Sequence, residues 1–548
     1  MSESTSAAQK LIDRYWGGLL QTEPLLGTVV GDRRYDDRLP DPGPDGRAAR
    51  ESLHRGALEE LALLPRDLPD EDVRLSLDIL AAIADRDLAS LEHRTDRLWA
   101  VSHLWGPAAL IGELASLQLA DTPERLERYA ARIAATPAFY DAAIEVMREG
   151  VADGVTAPRI VVERTIAQTD RLLAAGPDGS PGLAPVAPED DAGRERVTSL
   201  IAEALLPALQ RYLDALRAYL PSATETVGLG ALPGGEAMYG AQILSWTTLP
   251  LDPREVHELG LADLAKIQEE RRRSAQALGS PDPAAAIAEL NGNGANTLAS
   301  REDLKALAEE QVRRSWEVAP RWFGRLPREN CEVRLVEEFR EADMPFAFYN
   351  PPTDDGSRPG VYYVNGFELD RRPRHQLAST TYHEANPGHH FQIALEHQAD
   401  ARPPLRRFGG FLAGSAFAEG WGLYSERLAD EMGLYEDEGD RLGMLDLQGM
   451  RAARLIVDTG IHTLGWTREQ SISTLEEAGV TRVDAEIETD RYITIPGQAL
   501  SYKIGQFEIE RHRAAASERE GFTLSAFHDR LLSLGSLPLA VLRRELER

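Results

Sequence analysis

Apolar residues recur at helical spacing along most of the chain, which predicts a mainly α-helical protein. From Leu200 to Leu220 they repeat every three to four residues and would line one helix face. The segment Asp252-Pro253-Arg254-Glu255 predicts a helix start, because Asp caps a helix and Pro suits its first turn. The same periodicity predicts helices over residues 74–150, 157–175, 301–323, 438–463 and 524–546.

Two short stretches depart from the helical pattern and predict strands. Residues 331–336 alternate between apolar and polar side chains, and residues 361–364 form a run of β-branched and aromatic residues. Together they predict a small sheet just before a histidine-rich segment. Such a sheet either presents an open edge to an extended peptide, with Tyr362 as a candidate substrate contact, or only closes the core.

Breaks in the helical pattern are rich in Pro, Gly and Asp. They fall at residues 36–46, 176–193 and 279–296, and we interpret them as surface loops. The length of 548 residues alone suggests two to four domains, or one large helical unit over 1–548 built from two lobes at about 1–300 and about 301–548.

Composition narrows the classes of partner. The net charge of −29 argues against nucleic acid, whose phosphates an acidic surface repels. No run of roughly 18 apolar residues predicts a membrane span, and the N-terminus is not typical of a signal peptide. A single cysteine, Cys331, allows no intramolecular disulfide, and its expected place is a half-buried strand. We therefore expect a cytoplasmic protein.

Histidines cluster in one segment of the chain, which is the candidate site for chemistry. Five of the twelve lie between residues 375 and 397, and the densest segment is His383-Glu384-Ala385-Asn386-Pro387-Gly388-His389-His390. In the pattern His-Glu-x-x-His, two histidines four apart bind zinc from one helix face and the Glu activates water. Here the fourth residue after His383 is Pro387, so a regular helix does not satisfy the pattern.

A helix break would restore the missing ligand. In a regular helix His389 would lie roughly 240° around and roughly 9 Å along the axis from His383, too far to share one zinc. Pro387 cannot donate a backbone hydrogen bond, and Gly388 tolerates unusual dihedral angles. We therefore expect a Pro-Gly bulge that brings His389 beside His383, with His390 as the alternative ligand.

A second motif offers a third ligand. In Glu419-Gly420-Trp421-Gly422-Leu423-Tyr424-Ser425-Glu426, the two glutamates are seven apart and share a helix face. Glu419 is the candidate third ligand, because catalytic zinc usually takes three protein ligands and a water. Glu426 would accept a hydrogen bond from a ligating histidine, and Gly420 and Gly422 would let another helix approach closely.

These strings, together with Pro496-Gly497-Gln498-Ala499-Leu500-Ser501-Tyr502-Lys503-Ile504-Gly505, resemble the bacterial DUF885 family over nearly the whole chain. The resemblance implies a zinc metallopeptidase. The implied fold is a large helical, gluzincin-like one with a long groove and a small β-sheet next to the metal helix. It is similar to thimet oligopeptidase, the carboxypeptidase Taq group and angiotensin-converting enzyme.

The hypothesis that follows is hydrolysis of short peptides with Zn²⁺ as the cofactor. His383, His389 and Glu419 would hold the metal, and Glu384 would take the proton of the attacking water.

Other residues are candidates for contacting the substrate. Tyr502 is the first candidate donor to the oxyanion and Tyr492 the second. A carboxypeptidase or dipeptidase also needs a cation for the substrate carboxylate. Arg491 and Arg511 are the candidates, because guanidinium binds a carboxylate with two hydrogen bonds.

Two alternatives remain open from the sequence. One is an amidohydrolase of small acylated amines or amino-acid conjugates, which would use the same zinc and glutamate. The other is a non-catalytic helical protein with a structural zinc, which requires four protein ligands.

Overall fold

The computed structural model describes residues 3–65, 68–336, 338, 341, 344–352, 359–399 and 402–548. Over these residues the protein is mainly α-helical and carries a small three-stranded sheet, as the sequence predicts. None of the helices in this part of the chain is long and apolar enough to cross a membrane.

The chain folds into two compact units, each assembled from separate segments. The first unit comprises Met1–Gln242, Ile461–Arg468 and Ile487–Pro496. The second comprises Ile243–Gly460, Glu469–Glu486 and Gly497–Arg548.

Helices of the first unit pack around an aromatic and aliphatic core. Tyr129 and Tyr140 meet Leu209 and Tyr212 there, and the buried hydroxyl of Tyr212 donates to the backbone oxygen of Ala100. The helices are α1 (Glu3–Thr22), α2 (Pro24–Val30), α3 (Pro44–Ala62), α4 (Glu71–His93), α5 (Asp96–Trp99), α6 (Leu110–Leu117), α7 (Pro123–Ala152), α8 (Arg159–Ala174), α9 (Asp191–Leu200) and α10 (Leu206–Tyr219).

The remaining helices belong wholly or partly to the second unit. They are α11 (Gly235–Thr247), α12 (Pro253–Ala277), α13 (Pro283–Gly292), α14 (Arg301–Val318), α15 (Leu377–Glu384), α16 (His389–His397), α17 (Pro404–Ala413), α18 (Ala416–Glu431), α19 (Glu438–Leu464), α20 (Arg468–Glu477), α21 (Arg482–Thr494), α22 (Ser501–Ser517), α23 (Leu524–Leu534) and α24 (Leu539–Glu547). The unit bounds fall inside α11, α19, α20 and α21.

The sheet lies in the second unit and supports α15. Its strands are β1 (Glu332–Leu335), β2 (Ala347–Asn350) and β3 (Val361–Val364), in the order β1-β3-β2. β3 runs parallel to β1 and antiparallel to β2. Tyr362 and Val364 pack with Leu304 of α14 and Leu377 of α15 in one buried cluster. The sheet therefore fixes the helix that carries His383.

Cys331 lies just before β1 and is buried in this cluster. Burial raises the pKa of its thiol to about 12. The thiol is therefore protonated at neutral pH, which fits a packing role.

Local capping explains where several helices begin. The carboxylate of Asp252 accepts from the backbone N–H groups of Arg254 and Glu255, which confirms the predicted start of α12. Asp282 and Pro283 start α13 in the same way. The prediction of a loop over 279–296 is therefore wrong in its middle, because this cap outweighs the Asn and Gly residues that follow.

Two predicted long helices are each divided. The stretch 74–150 is interrupted after Arg94, which has a left-handed conformation, and again before Thr122, whose side chain caps α7. The stretch 524–546 is interrupted at Gly535 and Pro538. The strand β2 was not predicted, because its four residues do not alternate in polarity.

Close contact between α18 and α22 depends on glycine. A Cβ on Gly420 would lie 2.3 Å from the backbone carbon of Gly505, and a Cβ on Gly505 would lie 1.8 Å from the oxygen of Ala416. The expected close approach at Gly420 is thereby confirmed. The contact brings Tyr502, which lies on α22, alongside the helix that carries Glu419 and Glu426.

Substitution Gly420→Ala tests this packing. We expect it to lower the free energy of unfolding by about 2–3 kcal/mol, because α22 must move away from α18. Substitution Gly56→Ala is the control, since it lies within α3 with open space around its Cβ. There Ala should be neutral or stabilising by up to about 1 kcal/mol. Chemical denaturation measures both, and equal effects of the two substitutions would contradict the packing argument.

Candidate metal centre

The chain leaves the helix immediately after the His-Glu pair. α15 ends at Glu384 and α16 begins at His389, so residues 385–388 form a full break between two helices, whereas a bulge within one was expected. The Asn386–Pro387 peptide bond in this break is cis. A Cβ on Gly388 would lie 1.9 Å from the backbone oxygen of His383, so glycine is required there.

The break brings three side chains to one place. Nε2 of His383 lies 3.5 Å from Oε2 of Glu419, and Nε2 of His389 lies 3.6 Å from the same oxygen. The centroids of the two imidazole rings are 4.7 Å apart, with the rings nearly perpendicular. His383, His389 and Glu419 were the sequence candidates for metal ligands, and the structure places them together.

The spacing of these atoms suits a shared cation. An N–H···O hydrogen bond is usually 2.7–3.2 Å long, so 3.5 and 3.6 Å are too long for good hydrogen bonds. Two ligands at ~2.0–2.1 Å from one tetrahedral zinc are separated by ~3.3–3.4 Å. Two imidazole nitrogens and a carboxylate oxygen are also a usual donor set for zinc. The residues present therefore fit that metal.

Glu384 stands farther from the imidazoles than Glu419 does. Its carboxylate lies within 4.8 Å of ring nitrogens of both His383 and His389, yet it makes no ion pair with either in the part of the chain described. Burial raises its pKa more than the neighbouring imidazoles lower it. Such a carboxylate is suited to accepting and releasing a proton near neutral pH.

Glu426 fixes the orientation of His383. Its Oε1 lies 2.8 Å from Nδ1 of His383, so a neutral imidazole donates its proton there and leaves the Nε2 lone pair facing Glu419. Burial lowers the pKa of His383, but Glu419 and Glu426 outweigh that effect and raise it to about 9. A metal would therefore displace a proton from Nε2 on binding.

Burial would raise the pKa of Glu419, but the two imidazoles hold it well below its ordinary value. Glu419 is therefore an anion, as a metal ligand must be.

A buried chain of hydrogen bonds supports the carboxylate of Glu426. The amide nitrogen of Gln448 donates to Oε2 of Glu426 at 3.1 Å, and its oxygen accepts from Nζ of Lys503 at 2.9 Å. Nζ of Lys503 also lies 3.0 Å from Asp263. Because the lysine can only donate, it sets the orientation of the Gln448 amide and points its NH₂ group at Glu426.

α18 also holds the break itself. The indole N–H of Trp421 donates to the backbone oxygens of Pro387 and Gly388, at 2.9 and 3.1 Å. A Cβ on Gly422 would lie 2.7 Å from the imidazole of His383, so this glycine makes room for the ring. The Glu-Gly-Trp-Gly string thus supplies the carboxylate of Glu419, the space that the ring of His383 occupies, and the hydrogen bonds that hold the backbone of the break.

His390 is directed away from this cluster. Its Nδ1 lies 2.9 Å from the hydroxyl of Tyr349 on β2, and its Nε2 lies 2.9 Å from the backbone oxygen of Glu329. Burial lowers its pKa to about 4. Both ring nitrogens are engaged, so the geometry favours His389 of the two histidines that the sequence left open. Nδ1 of His389 is buried and has no hydrogen-bond partner within the described residues.

Among the other candidates, Tyr502 lies beside the cluster of His383, His389 and Glu419. Its ring centroid is 6.3 Å from that of His383, and the rings are nearly parallel. Tyr492, the second candidate, belongs to the first unit, where its hydroxyl donates to Glu488.

The remaining candidates for substrate binding interact with other residues of the protein. Tyr362 is fully buried and its hydroxyl lies 3.1 Å from that of Thr381, so it supports α15 and its assignment to substrate binding is corrected. Arg511 is half exposed on α22 and pairs with Glu508, and Arg491 pairs with Glu488 in the first unit.

The sequence interpretation missed three side chains of α19. Gln448, Arg451 and Arg454 lie on this helix, where the guanidinium of Arg454 is 4.5 Å from the ring centroid of Tyr502. A signal was present, because these polar residues interrupt an apolar stretch from 442 to 461 at spacings of three. Polar side chains on the buried face of a helix need partners and often belong to a site.

Comparison with known proteins supports the family and the fold. The model of the family described as "Bacterial protein of unknown function (DUF885)" matches residues 24–546. The crystal structure of a "putative lipoprotein from Colwellia psychrerythraea" is 27% identical, has a TM-score of 0.90 and covers 99% of this chain and 98% of its own.

A "putative lipoprotein of unknown function from Shewanella oneidensis" is 20% identical, with a TM-score of 0.77 and 100% of both chains covered, and it shares the fold. No curated protein matches the sequence.

Two histidine substitutions test which imidazole holds the metal. We expect His389→Gln to weaken zinc binding by more than the roughly 10–100-fold that loss of an outer-shell partner costs. His390→Gln should keep the zinc stoichiometry, because that ring bonds to Tyr349 and Glu329. Equilibrium dialysis against a competing chelator measures both affinities. Loss of zinc with His390→Gln alone would overturn the assignment.

Glu426→Gln tests the outer shell. The variant keeps the size of the side chain but removes the anion that accepts from His383, so zinc affinity should fall roughly 10–100-fold. Glu518→Gln, at an exposed position just after α22, serves as the matched control. If both variants bind zinc as tightly as the unchanged protein, Glu426 does not orient the ligand.

Proposed function

The chain belongs to the DUF885 family of bacterial proteins of unknown function, and we propose that it is a zinc-dependent hydrolase of peptide bonds in short peptides. The observation that carries the proposal is the position of Glu419, whose Oε2 lies 3.5 and 3.6 Å from the Nε2 atoms of His383 and His389. These distances match two edges of a zinc tetrahedron better than they match hydrogen bonds.

In this proposal zinc, when bound, polarises the substrate carbonyl and makes water a nucleophile at neutral pH. Glu384 takes the proton from the attacking water and delivers it to the leaving nitrogen. The carboxylate of Glu384 lies within 4.8 Å of both imidazoles but not in direct contact with them, which leaves room for a water between it and the imidazoles. Its raised pKa, caused by burial, favours the return of the proton.

Tyr502 is the proposed donor to the oxyanion that forms on the substrate. It lies on α22 beside His383, and α22 is held tightly against α18 by the Gly420–Gly505 contact. A hydroxyl donor fixed in place before the reaction stabilises developing negative charge without reorganisation.

The arrangement favours an open, catalytic site over a closed, structural one. A structural zinc needs four protein ligands, and His390, the additional histidine nearby, has both nitrogens engaged elsewhere. Glu384 stands off from the imidazoles, so three donors converge and a fourth position is left for substrate or water. An amidohydrolase of small conjugates would use the same residues, and its product profile would distinguish it from a peptidase.

We further propose that the fold is gluzincin-like, with a groove for the peptide. Support comes from a His-Glu pair on one helix, a second histidine after the break and a glutamate on a later helix. The cytoplasm is the proposed location, since the single cysteine Cys331 is compatible with a reducing compartment.

Glu384→Gln tests the proposed function. The variant should bind zinc as the unchanged protein does, but kcat should fall by roughly 10²–10⁴-fold because the general base is lost. Mass spectrometry of a mixed peptide library measures turnover, and chelation followed by zinc addition should abolish and restore the activity of the unchanged protein. Glu518→Gln is the control. Undiminished hydrolysis by Glu384→Gln would exclude this residue as the base.

A further inference from the structure

Arg451 lies next to the candidate metal centre, and its guanidinium N–H groups are only partly hydrogen-bonded within the described residues. Its NH2 atom is 4.0 Å from Oε1 of Glu426, within ion-pair range but beyond hydrogen-bond range. Its NH1 atom makes a long contact of 3.4 Å with the oxygen of Leu447 on its own helix. Its Nε is buried without a partner within the described residues.

Glu426 does not satisfy this guanidinium, because its Oε1 is 4.0 Å from the NH2 atom of Arg451, beyond hydrogen-bond range. The same Oε1 is held 2.8 Å from Nδ1 of His383, and Oε2 accepts from Gln448. A partly buried guanidinium gains from an acceptor that takes its remaining N–H groups, and carboxylate is the best geometric match. The side chain of Arg451 keeps 12% of its surface exposed. Because Nε is buried, an external acceptor would bond to the terminal NH1 and NH2 groups.

The location of Arg451 relates it to the reaction. Its guanidinium carbon is 6.0 Å from the ring centroid of Tyr502, the proposed oxyanion donor. The path from NH2 of Arg451 through Oε1 of Glu426 and across the ring of His383 sets an upper limit of about 9 Å on the distance between NH2 of Arg451 and Nε2 of His383. An extended peptide spans ~3.3–3.6 Å per residue, so this upper limit allows at most two residues beyond the scissile bond.

We infer that Arg451 binds the C-terminal carboxylate of the substrate, so that the enzyme removes one or two residues from the C-terminus of short peptides. This inference rests on the proposed function and narrows its substrate class to peptides with a free carboxylate. Arg491 and Arg511, which the sequence suggested for this role, already pair with Glu488 and Glu508.

A purely structural role is the competing explanation. Arg451 is one of the charges that lower the pKa of Glu426, against the effect of burial. If Arg451 only balanced Glu426, its loss would weaken the reaction with every substrate to the same degree. A carboxylate-binding role instead changes the discrimination between two substrates that differ at the C-terminus.

The test compares N-acetylated tetrapeptides that end in a free carboxylate with the same peptides ending in an amide. We expect the unchanged protein to favour the acid in kcat/KM by about 10–100-fold, as charge-assisted hydrogen bonds allow. In Arg451→Met this ratio should fall close to one, and Arg451→Lys should restore part of it. Arg511→Met should leave the ratio unchanged.

A second readout does not depend on turnover. Calorimetry on zinc-loaded Glu384→Gln should show tighter binding of the acid than of the amide, and adding Arg451→Met to that variant should remove the difference. Equal losses for acid and amide, or no preference in the unchanged protein, would overturn the role of Arg451. Absence of zinc binding and of all hydrolysis in the unchanged protein would instead contradict the proposed function.

Discussion

The meeting of two imidazoles at one carboxylate is the interaction on which the site depends. His383 lies in the last turn of one helix and His389 begins the next, and both Nε2 atoms face the same oxygen of Glu419. A continuous helix would hold these rings about 9 Å apart along its axis. The break at residues 385–388 is therefore the local feature that converts a run of histidines into a convergent site.

The surrounding helices hold this break in place by close contact. α18 lies near α15 because Gly422 leaves room for the ring of His383, and it lies near α22 because Gly420 meets Gly505. From this one helix Glu419 reaches both imidazoles, Glu426 orients His383, and Trp421 bonds to the backbone of the break. α19 adds Gln448 behind Glu426. Packing and chemistry thus depend on the same few side chains.

Much of this arrangement was predictable from local sequence signals. The His-Glu pair, the helix-breaking Pro387 and Gly388, and the seven-residue spacing of Glu419 and Glu426 each have a direct physical meaning. The cap at Asp252 was equally readable, because its effect is confined to a few residues.

Features that depend on tertiary packing were harder to predict from local sequence patterns. The sequence left open whether the sheet that contains Tyr362 presents an edge to a peptide or only closes the core, and the cluster formed with α14 and α15 buries Tyr362 completely. Arg451 lies on a helix whose path past the candidate metal centre no local pattern specifies. Sequence proximity to the Pro-Gly-Gln segment instead favours Arg491 and Arg511. The short strand β2 forms because β3 is available as a partner, not because of its own pattern.

The most direct test of the account is anomalous diffraction from crystals grown with zinc, recorded on both sides of the zinc absorption edge. We expect one strong zinc peak about 2.0–2.2 Å from Nε2 of His383, Nε2 of His389 and the carboxylate of Glu419, with Glu384 outside bonding distance. A peak on His390, or no peak among these residues at full zinc loading, would contradict it.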